Sequence, residues 1–239
     1  MEKGRISADM KTIGLIGGMS WESSLEYYRI LNELVKERLG GLHSAKCVLV
    51  SVDFAEIEPL QHQERWAEQA QMMVASAQNL ERAGADFIIL CTNTMHKLAE
   101  DIQAGIHIPF LHIADATARK IKAAGIHKVG LLGTRFTMEQ DFYRLRLEER
   151  HHLSVLIPSE QQRELVHRII YQELCLGIIE QESRLQYARV IQDMAQNGAQ
   201  GIILGCTEIE LLVRPEDSPV PLFPTTRIHA EAAVDYALG

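Results

Sequence analysis

Two short stretches hold residues able to move a proton. LCTNTMHK spans positions 90–97 and LGCTEIEL spans 204–211, each directly after a run of isoleucines. A thiol at a helix start has its pKa lowered by the helix N-terminus, so Cys206 is expected to supply a thiolate that acts as base or nucleophile. Thr92, Asn93, Thr94 and Thr207 add hydroxyls and a carboxamide beside unpaired backbone N–H groups. That combination suits a small carboxylate, and it is also what ordinary N-caps look like. His96 and Glu208 flank the same loops, where either could orient an acid/base group, meet a substrate ammonium, or cap a helix.

Other chemistries find less support. The four cysteines, Cys47, Cys91, Cys175 and Cys206, form no CxxC pair, and the histidines show no paired metal spacing. Gly14, Gly17 and Gly18, and again Gly130 and Gly133, follow strand-like runs, but neither group is GxGxxG and no P-loop occurs. Such turns either let N–H groups approach an anion or serve tight strand-to-helix packing. No lysine has the setting of a pyridoxal Schiff base, so no cofactor and no metal is expected. A net charge of −8 argues against a nucleic-acid surface. No apolar stretch approaches the roughly 20 residues of a membrane span. Residues 1–11 are polar and lack the apolar region of a signal peptide, so the chain reads as cytoplasmic. Residues 1–9 precede the first strand-like run and read as an alternative start or an added extension.

The positioning elements follow from periodicity. Short apolar runs predict strands at 12–16, 46–52, 86–90, 109–112, 128–132, 153–157, 201–204 and 221–223. Longer amphipathic runs predict helices at 23–39 (capped by Ser20), 65–83, 96–104, 114–124, 137–150, 164–176, 182–195, 208–212 and 228–238. This alternation is the signature of parallel sheets with crossover helices.

The pattern also repeats. KTIGLIGG (11–18) resembles KVGLLGT (128–134), and GADFIIL (84–90) resembles GAQGIIL (198–204). Gly14 to Gly130 is 116 positions and Gly84 to Gly198 is 114, two matches at nearly one offset. The expectation is an α/β protein of two pseudo-symmetric flavodoxin-like halves, each a mostly parallel sheet flanked by helices. The first half would take residues 1–111 plus 225–239, the second 112–224. Ligands bind at the carboxyl ends of strands in such sheets, which makes the cleft between the halves the expected site. Registering Gly84 on Gly198 sets Cys91 on Gly205 and Thr92 on Cys206. Thr92, not Cys91, is then the counterpart of Cys206.

IGLIGGMSWESS, LCTNTMH, ILGCTEI and PLFPTTRIHAEAAV together resemble the cofactor-independent aspartate/glutamate racemase family, over essentially the whole chain after Met10. The bacterial L-aspartate/glutamate-specific or broad-specificity amino-acid racemases are the most similar members. The resemblance implies a pyridoxal-independent, two-base isomerase. One acid/base residue in each half faces one side of Cα; one removes the proton and the other returns one to the far face. Most members use two cysteines, in CNTxH and GCTE motifs. Here the second motif is intact at Cys206-Thr207-Glu208, while Thr92 holds the place of the first cysteine. The resemblance includes members with this Thr/Cys pair that act as racemases. It implies Thr92 and Cys206 as catalytic, Asn93, Thr94 and Thr207 around the α-carboxylate, and Met19 and Gln61 lining the side-chain pocket, with a homodimer as one option for assembly.

Two departures from the pattern matter. A threonine hydroxyl is a far weaker acid than a thiol, so the two directions should be unequal. The Arg and Lys that hold a distal carboxylate in aspartate racemases are absent from 53–61 and 173–175, which leaves the substrate open between acidic and broader amino acids. Two other readings compete. A decarboxylase of the arylmalonate type needs a single cysteine, and a two-lobed amino-acid-binding module needs none.

Overall fold

A computed structural model describes residues 10–239; the stretch 1–9, read above as an alternative start or extension, lies outside the described residues. The chain forms two compact units. The first comprises residues up to Cys91, Leu98–Leu111 and His229–Gly239; the second comprises Thr92–Lys97 and His112–Ile228.

In the first unit β1 (Ile13–Gly17), β2 (Cys47–Ser51), β3 (Phe87–Leu90) and β4 (Phe110–Leu111) form a parallel sheet of order β2-β1-β3-β4. Side chains alternate across it, as the period of two requires. Ile13, Leu15, Phe87, Ile89 and Cys91 share one core with Tyr27, Leu31 and Leu34 of α1 (Trp21–Leu39). Ser20 caps α1 by accepting from the Ser23 N–H at 3.4 Å. In the turn before it, Gly18 is closely packed. The Gly18 N–H donates to Ser24 Oγ at 2.7 Å, and its φ of 92° and a clash with the Val52 carbonyl exclude a side chain there.

The sequence reading missed one helix, α2 (Phe54–His62), which carries Pro59 in its interior. Proline in a helix interior removes a hydrogen bond and clashes with the preceding turn, so the segment shows no helical signature. Asp53 nevertheless caps it by accepting from the Ala55 N–H. Helix α3 (Trp66–Arg82) follows as expected, and the segment expected as one helix at 96–104 divides into a one-turn 3-10 helix, Thr94–Leu98, and α4 (Ala99–Ala104).

The second unit begins its helices with α5 (Ile113–Ala123) and repeats the sheet. Strands β5 (Lys128–Gly133), β6 (Ser154–Leu156), β7 (Ile202–Gly205) and β8 (Leu222–Pro224) are parallel in the order β6-β5-β7-β8. The helix expected at 137–150 is broken. Helix α6 (Arg135–Glu139) stops where Gln140 turns extended at ψ 148°, and α7 (Asp141–Leu145) and a wider turn, Arg146–Arg150, follow. Helix α8 (Glu160–Gln172) starts four residues earlier than expected, because the Ser159 N–H donates to Gln162 Oε1 and forms a capping box. Helices α9 (Gln181–Gln196), α10 (Ile209–Leu212) and α11 (Thr225–Leu238) complete the chain. Among the described residues no helix is long and apolar enough to cross a membrane.

The pairing registers fix which residues are equivalent. Gly14 faces Ile88 and Ile16 faces Leu90 in the first sheet; Gly130 faces Ile202 and Leu132 faces Leu204 in the second. Two residues beyond Leu90 and Leu204 stand Thr92 and Cys206.

Candidate active site

Cys206 follows the last residue of β7 and shares its core with Leu132, Ile202 and Leu204 of the sheet and Tyr187 of α9. Gly205 lets the strand end close against its neighbour: a Cβ there would meet the Leu132 carbonyl oxygen at 2.7 Å. Cys206 is 8% exposed. Its thiol donates to Glu208 Oε2 at 2.9 Å, and the Thr207 hydroxyl donates to the same oxygen at 2.6 Å.

This arrangement overturns the expected low thiol pKa. Burial pushes the Cys206 thiol well above its ordinary value, and the Glu208 carboxylate pushes it further. The helix behind the loop is a single turn of four residues, Ile209–Leu212. The partial positive charge of a helix end is small beside a full carboxylate charge in hydrogen-bond contact. In the free protein Cys206 is therefore a thiol with a proton acceptor already attached.

Cys91, the residue that draws attention in the first loop, lies in the core of the first unit. It is fully buried against α1 and α11, burial raises its thiol pKa, and its N–H donates to the Ile16 carbonyl in the sheet. Thr92 follows, at the level where the chain passes into the second unit. Its carbonyl accepts from His96 Nδ1 at 2.7 Å, and His96 Nε2 accepts from the Ile113 N–H at 3.1 Å. Those two bonds assign the proton to Nδ1 and make His96 a neutral strut between the Thr92 loop and the start of α5. His96→Ala strands two buried backbone groups, at about 1–3 kcal/mol each. The expected result is a fall in stability of about 2–6 kcal/mol, measured by denaturant melts.

Asn93 and Thr94 are held as firmly. Asn93 Nδ2 donates to Thr225 Oγ1 at 3.0 Å, and Thr225 Oγ1 donates to the Leu204 carbonyl at 2.8 Å. Because the Thr225 hydroxyl proton is already used, Thr225 can only accept from Asn93, which fixes the amide orientation. This relay ties the Thr92 loop to the strand end that carries Cys206. Asn93 Oδ1, buried, is left without a hydrogen-bond partner. Thr94 Oγ1 lies 2.9 Å from Thr134 Oγ1 and 3.4 Å from Thr137 Oγ1, a buried trio of hydroxyls at the end of β5.

The second unit thus brings together Thr92, Asn93, Thr94, Cys206, Thr207 and Glu208. Met19 and Gln61 belong to the first unit, where both are buried, Met19 after β1 and Gln61 in the last turn of α2. Thr134, Thr137 and Thr225 were not picked out from the sequence. Thr134 had a usable signal, a hydroxyl directly after a glycine-ended strand in the repeated unit; Thr225 had only the PTT tripeptide. Among the described residues no cluster of three or more His, Cys, Asp or Glu side chains could hold a metal ion.

The chain is similar to several known proteins. The Asp/Glu/hydantoin racemase family model matches residues 16–233. A candidate Asp/Glu racemase from Yersinia pestis is 60% identical, with a TM-score of 0.90 over 96% of this chain and 100% of that one. An aspartate racemase homologue from Pyrococcus horikoshii is 35% identical, with a TM-score of 0.83 over 95% and 99% of the two chains. The broad specificity amino-acid racemase RacX of Bacillus subtilis is 25% identical over 95% of this chain and 98% of its own length.

Proposed function

The chain belongs to the Asp/Glu/hydantoin racemase family, an isomerase family, and from that premise we propose that it inverts the Cα configuration of an α-amino acid without pyridoxal phosphate, using Cys206 on one face and Thr92 on the other. The observation that carries this reading is the Cys206–Glu208 contact at the end of β7, register-equivalent to Thr92 at the end of β3. Cys206 in its resting state is an acid. To act as base it first passes its proton to the Glu208 carboxylate; the thiolate then takes the Cα proton. The Thr92 hydroxyl delivers a proton to the opposite face and is reprotonated by water, and the hydroxide so formed takes the proton held on Glu208, which restores the resting state. In the reverse direction the thiol returns the proton.

The orphaned Asn93 Oδ1 suits the substrate ammonium, because a buried acceptor without a donor is costly and a charged N–H donor relieves it. Thr94 and Thr207 hydroxyls hold the α-carboxylate. Glu208, bonded to the thiol, acts through Cys206. Residues 53–61 and 173–175 contain no Arg or Lys, so the substrate set extends beyond aspartate and glutamate. Incubating a panel of L- and D-amino acids in D2O tests the reading. The expected result is loss of the Cα proton signal with loss of optical rotation, for neutral as well as acidic substrates. Carbon dioxide release from a malonate without amino-acid exchange would instead select the decarboxylase. Binding without exchange would select the non-catalytic module.

A further inference from the structure

The buried amide of Asn93 is bonded at one end and open at the other. Its Nδ2 donates to Thr225 Oγ1 at 3.0 Å, while Oδ1 has no hydrogen-bond partner. Thr225 decides which end is which. A hydroxyl has one proton and two lone pairs, and the Thr225 proton goes to the Leu204 carbonyl at 2.8 Å. Only lone pairs remain to face Asn93. An N–H meets them well; a turned amide would press Oδ1 against Oγ1, acceptor against acceptor, and aim both its N–H groups into the site.

We propose that Thr225 is a positioning residue for substrate recognition: by fixing the Asn93 amide, it makes the site select an ammonium at Cα over other polar groups. The inference rests on the racemase reading above, in which Asn93 Oδ1 receives the substrate ammonium, and adds the residue that aims that acceptor. An ammonium has three donors and no acceptor. It gains a charge-assisted bond from Oδ1 and is repelled by the N–H edge of a turned amide. The hydroxyl of a 2-hydroxy acid both donates and accepts, so it fits either orientation. Thr225 does not touch the substrate; it acts through Asn93.

The surroundings allow the role to be isolated. Asn93, Leu204 and Thr225 all lie in the second unit, and Thr225, the first residue of α11, is fully buried. The start of that helix has an anchor of its own, because the Thr226 N–H donates to Glu210 Oε1 at 3.0 Å. Valine has nearly the shape of threonine without its hydroxyl. Thr225→Val therefore removes the orienting lone pairs, opens no sizeable cavity and keeps the helix anchored.

The test compares two ligands on the full chain: an amino acid that exchanges its Cα proton, and the 2-hydroxy acid with the same side chain, malate for aspartate or lactate for alanine. Deuterium exchange gives KM and kcat for the first, and the second is read as a competitive inhibitor of that exchange. Thr225→Val is expected to raise the amino-acid KM about 10–100-fold, the scale of one hydrogen bond to a charged group, with kcat and the hydroxy-acid inhibition constant within about threefold of wild type. Thr225→Ser, which keeps the hydroxyl, is expected to restore the wild-type ratio of the two ligands. Should Thr225→Val fold poorly by circular dichroism, Thr225→Ala removes the same hydroxyl and is expected to move the ratio the same way. A residue that only braced the fold would weaken both ligands together, and that result overturns the proposal. So does an unmoved ratio in a folded variant that lacks the hydroxyl. A wild-type chain that exchanges no amino acid overturns the racemase reading itself, and this inference with it.

Discussion

Cys206→Ala is expected to lower Cα proton exchange by about 10³–10⁴-fold for every amino acid the protein accepts, the usual scale for deleting a positioned acid/base group. The reasoning is structural and asymmetric. Cys206 is the buried thiol with a carboxylate in direct contact, whereas Thr92 offers a hydroxyl of far higher intrinsic pKa. Exchange of the α-proton for deuterium, followed by NMR, isolates the proton transfer from product accumulation. The substitution removes one small side chain from a core that otherwise keeps Leu204, Ile209 and Tyr187, so the variant should stay folded and a melt will show it. Full exchange retained by Cys206→Ala would sink the assignment of Cys206. Cys91→Ala is the matched control: it removes a thiol just one residue from Thr92 and is expected to leave exchange within about threefold of wild type.

Strand register is where sequence reasoning was sufficient. The identity of Thr92 as the counterpart of Cys206 was legible, because it depends on strand register, and register is carried by local hydrophobic pattern in both repeats. The parallel alternation of strands and helices was legible for the same reason. What was not legible involved partners distant in the chain or local breaks in pattern. Asn93 and Thr225 are 132 positions apart, and no periodicity links them. Helix α2 hid behind Pro59, and the break at Gln140 interrupts a stretch whose spacing alone reads as one helix. The charge state of Cys206 was misread for a different reason. Position at a helix start predicted a lowered pKa, but the helix is one turn long and the dominant neighbour is Glu208, two residues on. A motif names the residues present; the direction of a pKa shift depends on burial and on which atoms touch.

Glu208→Gln separates that electrostatic role from a structural one. Glutamine has the same length and keeps an oxygen able to accept from Cys206 and Thr207, but it carries no charge and is a far weaker base. Two consequences follow, and they act in opposite directions on different observables. At neutral pH the thiol loses the group that takes its proton, so Cα exchange is expected to fall by about 10²-fold. At the same time the negative charge that helps raise the Cys206 thiol is gone, so the thiolate forms at lower pH than in wild type. The limb on which exchange rises with pH should therefore shift toward acid, even though its plateau is lower. A glutamate that merely braced the loop would give a lower rate with an unmoved limb, or a loss of stability in parallel with the loss of rate. Recording exchange rates for both enantiomers of one substrate across pH 5–10 reads both quantities, and an unshifted limb in Glu208→Gln would show that the carboxylate does not govern the thiol. The two enantiomers should also respond unequally. The direction in which Cys206 must start as thiolate needs Glu208 to accept a proton, while the direction in which it starts as thiol begins from the state already present in the resting protein.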